Sequence, residues 1–95
     1  MLREVYNRKL DEAIDRAVAN NPRIKFIKAM QMHMLRRSPA MDRRRAWAAA
    51  VAALRNFLED ERCEFGDQRF DWTRSGAATL IEEYEMSHWE AADAS

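Results

Sequence analysis

AWAAAVAALRNFL, residues 46–58, decides the fold class of this chain. Alanine is the strongest helix former, and a run this rich in it carries too little side-chain bulk for a strand. Trp47, Val51, Leu54 and Leu58 recur at spacings of four, three and four, with Ala50 and Phe57 beside them, which is one apolar stripe of an amphipathic helix. The small residues let a neighbouring helix approach closely. Ala46 to Leu54 is the longest uncharged apolar stretch, less than half of the roughly 20 residues that a membrane span requires. No membrane partner is expected.

Upstream of this helix, Ser38 and Pro39 read as an N-cap and a first helical residue, with Asp42 in the first turn where it complements the helix dipole. The third helix is therefore predicted to start near Pro39. Ile24, Ile27, Met30, Met34 and Leu35 give a second helix a narrower apolar face, with Lys25, Lys28 and Arg36 opposite, ending near Arg37. Leu2, Tyr6, Leu10, Ala13 and Ala17, widened by Ile14, line a first helix whose wet side carries Glu4–Arg8, Arg8–Glu12 and Glu12–Arg16 pairs. Asn20, Asn21 and Pro22 break the first helix from the second.

Downstream, Glu64, Phe65 and Gly66 read as a helix end, with Gly66 in the left-handed conformation of a C-terminal cap. Asp71 or Thr73 is positioned to cap a fourth helix, on which Ala77, Leu80, Ile81, Tyr84 and His88 share one face. The tail after about Ala91 is expected to fray. No period-two stretch, internal repeat or low-complexity segment interrupts this pattern. The expectation is an all-α protein, a small four-helix bundle forming a single domain over residues 1–95.

A length of 95 residues supports one core but not a two-domain enzyme with a cleft between its halves. The N-terminus is charged from its third residue and lacks the apolar segment of a secretory signal, and the single Cys63 has no partner for an intramolecular disulfide. A cytoplasmic location is expected by default.

Sixteen Lys and Arg balance sixteen Asp and Glu, but unevenly along the chain. Residues 1–58 carry a net charge of plus 8 and residues 59–95 minus 8. If the acidic fourth helix lies beside the basic second or third, the two signs offset each other. The densest basic cluster is RRSPAMDRRR, in which Arg36 and Arg37 end one helix and Arg43, Arg44 and Arg45 open the next. Guanidinium forks bind phosphates and carboxylates alike, and the free N–H groups of a helix start favour an anion at the same corner. Nucleic acid would gain from aromatics beside the cluster, yet Trp47 belongs to the core stripe, and the junction lacks a Gly-containing helix-turn-helix turn. The acidic residues Glu59, Asp60, Glu61, Glu64, Asp67 and Asp71 gather around the third helix's end, where they suit a basic partner or stand in for phosphates.

Chemistry-bearing residues are sparse. His33 and His88 lie far apart with no metal-ligand spacing near either, and a Cys63 nucleophile lacks candidates for the third group and the oxyanion donors. Met30, Met32 and Met34 alternate around His33, but on a helix Met32 points about 160–200° away from the other two, so their sulfurs diverge. No cofactor, metal or catalytic residue is expected. Phe26, Met32, Phe70 and Trp89 fall off the apolar stripes, marking either a second buried face or a binding surface, and Trp89 is the best single hot-spot candidate.

The resulting expectation is a small non-enzymatic regulator or inhibitor that acts by protein–protein binding. Its predicted contact residues are Arg36, Arg37, Arg43, Arg44, Arg45, Trp89, Phe70 and Met32. Regulators, antitoxins and phage or mobile-element inhibitors of host machinery, anti-CRISPR-like proteins among them, are the base-rate classes for such a chain. The alternative is a nucleic-acid-binding module using the five arginines. A homo-oligomer pairing the basic half of one copy with the acidic half of another is a third.

Overall fold

The structure, a computed structural model, describes residues 3–85. Leu2, His88, Trp89 and the tail after about Ala91 lie outside the described residues, as do the side chains of Tyr6 and Tyr84. Four helices run in the order α1 (Arg3–Val18), α2 (Pro22–Arg37), α3 (Arg43–Glu61) and α4 (Arg74–Leu80), and α4 continues as a π-helical segment, Ile81–Glu85. There is no strand among the described residues, and the fold is a small all-α bundle.

The break between α1 and α2 falls where the sequence places it. Asn21 Oδ1 accepts from the backbone N–H groups of Arg23 (3.0 Å) and Ile24 (3.4 Å), and Pro22 occupies the first helical turn, where its missing N–H costs nothing. α2 then becomes the centre of the bundle, packing against α1, α3 and α4. A helix with three neighbours must bury more than a narrow stripe. Phe26, Ile27, Met30, Gln31 and Met34 are all buried, so Phe26, which lies off the expected stripe, is a core residue.

The face of α1 is rotated from the expected one. Ile14 is buried, Leu10 and Val18 are half-buried, and Ala13 and Ala17 are exposed. The branched residues at spacings of four offer more apolar area than alanine methyls, and they win the contact. On α3 the buried face also departs from the expected stripe, but here toward the alanines. Ala46, Ala50, Ala53 and Leu54 are the fully buried line, while Trp47, Val51 and Leu58 are half-buried at its edge. The alanines let α2 and α3 pack closely, and Met30, Met34, Leu54 and Ile81 fill the space between the helices. Fully burying such side chains contributes roughly 1.5–3 kcal/mol each.

Two boundaries differ from the sequence expectation. α3 starts at Arg43, not near Pro39. Ser38 is the C-cap of α2, its N–H donating to the Met34 carbonyl at 2.9 Å, and its own carbonyl accepts from the Met41 N–H at 3.0 Å. Pro39 therefore occupies the second position of a tight turn, which its fixed φ suits as well as a helix start does. Asp42 caps α3 by accepting from the Arg45 N–H at 3.4 Å. The buried Gln31 amide donates to the Arg43 carbonyl at 3.0 Å, fixing the start of α3 against the middle of α2.

The other boundary is the end of α3, at Glu61 rather than at Gly66. Arg62 takes the left-handed conformation (φ 53°), and the Cys63 N–H donates to the Leu58 carbonyl at 3.0 Å in a Schellman-type closure. Gly66 (φ 96°) serves a separate turn, in which the Asp67 N–H donates to the Glu64 carbonyl at 3.1 Å.

Residues 62–73 are irregular, yet aromatic packing pins them to the bundle. Trp72 lies 5.2 Å from Phe26 of α2, 4.7 Å from Phe65, 6.2 Å from Phe57 of α3 and 6.2 Å from Phe70, ring centre to ring centre. Phe26 and Phe65 meet edge to face at 5.7 Å, and Phe57 and Phe70 at 5.0 Å. Such pairs contribute about 0.5–1.5 kcal/mol beyond the area they bury. The Trp72 indole N–H donates to the Asp67 carbonyl at 2.8 Å, so its polar end is satisfied where the ring is packed.

Candidate functional site

The turn at 38–41 brings the ends of α2 and α3 together, so Arg36, Arg37, Arg43, Arg44 and Arg45 share one corner, and all five are exposed. Arg37 and Arg43 face carboxylates of their own chain. Arg37 Nη1 lies 3.2 Å from Glu82 Oε1, the same oxygen that sits 3.1 Å from His33 Nε2, and Arg43 pairs with Asp11 of α1. Lys28 pairs likewise with Asp15 of α1. The acidic end of the chain and α1 therefore offset part of the positive charge on α2 and α3. Three arginines in the first turn of α3 still oppose its dipole, a cost of a few tenths of a kcal/mol each that the Asp42 cap only partly offsets.

Beside this corner runs a groove of 770 Å³ between the outer face of α2 and the aromatic segment. Lys25, Lys28, Met32 and Arg36 recur at spacings of three, four and four, which places them on one side of α2 with Ala29 between them. The facing wall is Phe65, Trp72, Thr73 and Arg74, and Val18 and Pro22 close one end. The floor is apolar, the rim is basic, and no residue lining it among those described is a carboxylate. Met32 is 42% exposed in this groove and is the exposed large apolar side chain among the described residues. A second hollow, of 470 Å³, adjoins the first through Met32 and Arg36 and is lined further by Leu35, Pro39, Ala40, Met41 and Arg43. Together they form one surface from the α1–α2 turn to the arginine corner.

Met32 and Arg36 were thus readable in the sequence as contact candidates. Lys25, Lys28, Phe65, Trp72 and Arg74 were not, although three aromatics within the eight residues 65–72 of a non-helical stretch are a signal that the stretch is packed. Phe70, read as part of either a second buried face or a binding surface, is half-buried against Phe57 and Trp72, with the Arg69 guanidinium 5.2 Å from its ring centre. It lines a smaller hollow of 290 Å³ whose rim is acidic, through Glu61, Asp71 and Glu83. Trp89 lies outside the described residues.

The remaining polar groups serve the fold. Asp67 accepts from the Arg69 N–H (2.9 Å), Nε (3.1 Å) and Nη2 (3.1 Å), and those bonds hold its carboxyl below the ordinary value. Asp71 Oδ1 accepts from the Thr73 hydroxyl (2.6 Å) and N–H (2.9 Å), which lowers its pKa in the same way. Thr73 occupies the N-cap of α4, but its hydroxyl serves Asp71 and makes no capping bond. Partial desolvation pushes the Cys63 thiol above its ordinary value, and the Asp67 charge adds to that, so the thiolate is disfavoured at neutral pH. Met30 and Met34 are buried while Met32 is exposed, so their sulfurs do not converge. No group of three His, Cys, Asp or Glu positioned to hold a metal ion occurs among the described residues, and no described helix is long and apolar enough to cross a membrane. Comparison with protein-family models, curated proteins and solved structures returns no match to this chain.

Proposed function

We propose that this chain is a non-enzymatic helical protein, cytoplasmic, that regulates or inhibits another protein by binding it. The observation that carries this reading is Met32, left exposed in a groove with an apolar floor and a basic rim, where it meets a second hollow. Its place beside an apolar floor ringed by charge is what supports the reading, because interfaces are built around such apolar patches with a charged rim. Methionine suits the role because its unbranched, polarisable side chain adapts to the surface it meets. Nucleic acid is less well supported, because Arg37 and Arg43 of the arginine corner face Glu82 and Asp11.

The test is titration of labelled random-sequence DNA and RNA at about 50 and 200 mM salt, run beside affinity capture from a host lysate. The reading predicts no tight nucleic-acid binding and a protein recovered in fixed stoichiometry. Nucleic-acid affinity that falls by orders of magnitude with salt, and is lost in Arg44→Ala plus Arg45→Ala, would replace it with the arginine-corner reading.

A further inference from the structure

Resting on the protein-binding reading, we propose that the groove along the outer face of α2 takes an acidic amphipathic segment of the partner protein, seated on Met32. Charge complementarity carries the proposal. Lys25, Lys28, Arg36 and Arg74 surround the floor, and among the described residues no carboxylate shares the groove with them. An uncharged ligand would leave that rim unused, and a basic one would meet like charge across the apolar centre.

Two further features set the class of ligand. The floor carries the aliphatic Met32 and Ala29, closed at one end by Val18 and Pro22, while Trp72 and Phe65 pack edge-on against Phe26 and lie tilted against each other. That floor matches Leu-, Ile- or Phe-type side chains better than stacked bases. Length is the other feature. Lys25 to Arg36 is about 16 Å at 1.5 Å per residue, so the groove accommodates roughly three turns of a partner helix. Its apolar residues at i, i+3 or i+4, and i+7 would lie on Met32 and Ala29, and its Glu or Asp would reach Lys25 at one end and Arg36 at the other. Lys28 is already paired with Asp15, so the arriving carboxylate has to compete for it.

The probe is a displayed library of random 12-residue peptides selected on the full chain, with enriched peptides then measured by fluorescence anisotropy. The expected result is enrichment of peptides with net negative charge and at least two large apolar residues. Affinity should fall at least about tenfold on Met32→Glu and severalfold on Arg36→Glu. Both residues are exposed, so both variants keep the helical circular dichroism of the wild type. Enrichment of neutral or basic peptides, absence of enrichment, or equal binding to Met32→Glu overturns the proposal. A wild-type dimer that Met32→Glu makes monomeric also overturns it, because the occupant is then a second copy of the chain. A captured cellular protein that binds Met32→Glu as tightly as wild type removes the groove but leaves the protein-binding reading standing, whereas salt-sensitive nucleic-acid binding removes the reading itself.

Discussion

A Cβ placed on Gly76 would lie 1.9 Å from the carbonyl oxygen of Asp71, so the first turn of α4 and the segment leading into it touch backbone to backbone. In an exposed helix, Gly→Ala stabilises by about 0.5–1 kcal/mol, since alanine loses less backbone freedom. Here the sign reverses. The obstructing atoms are main chain and cannot rotate away, so Gly76→Ala must displace α4 or the 71–73 segment. We expect a loss of at least about 2 kcal/mol in urea unfolding followed by circular dichroism.

Trp72 joins α2, α3 and the irregular segment in one aromatic cluster. Trp72→Ala is expected to cost about 3 kcal/mol or more, and Trp72→Phe about 1 kcal/mol, because the second keeps most of the ring packing and loses the N–H bond to Asp67. The Asp67 carbonyl still accepts from the Phe70 N–H at 3.2 Å, so it is not left unsatisfied in Trp72→Phe. Equal losses for the two variants would show that the hydrogen bond, not the packing, holds the segment down.

Arg62 is the described non-glycine residue with positive φ, and it ends α3 in the left-handed conformation that glycine adopts without a Cβ penalty. Arg62→Gly should therefore raise stability by about 0.5–1 kcal/mol, seen as a melting temperature a few degrees higher. A lower melting temperature would mean that the Arg62 side chain makes a contact worth more than the strain.

Asp67 and Asp71 both titrate below their unfolded values, held there by Arg69 and by Thr73. A depressed carboxylate contributes stability that is fully present above its unfolded pKa and is lost as pH falls through its folded value. The melting temperature should accordingly fall on acidification below about pH 4, and Asp67→Asn should flatten that fall while lowering stability at neutral pH. An unchanged acid profile in Asp67→Asn would show that other carboxylates set it.

The helix count and the Asn21–Pro22 junction were legible because caps and proline act within a few residues of themselves. Ser38–Pro39 was misread because the same dipeptide opens a helix or a turn equally well. The choice is settled by Asp42 four residues later and by Gln31 from a different helix. Phe26 was illegible for a related reason, since helical periodicity presumes one buried face and α2 has three neighbours. Half of the groove was in view, as Met32 lies off every stripe and Arg36 lies in the basic run. The opposing wall was not, because Phe65 and Trp72 reach α2 through an irregular segment that no period describes.

The most direct test of the account is the NMR spectrum of methyl-labelled methionines on adding the peptide enriched by selection. The account predicts that the Met32 methyl resonance shifts and broadens while those of the buried Met30 and Met34 stay nearly still. A peptide that binds while the Met32 resonance is unmoved would contradict it.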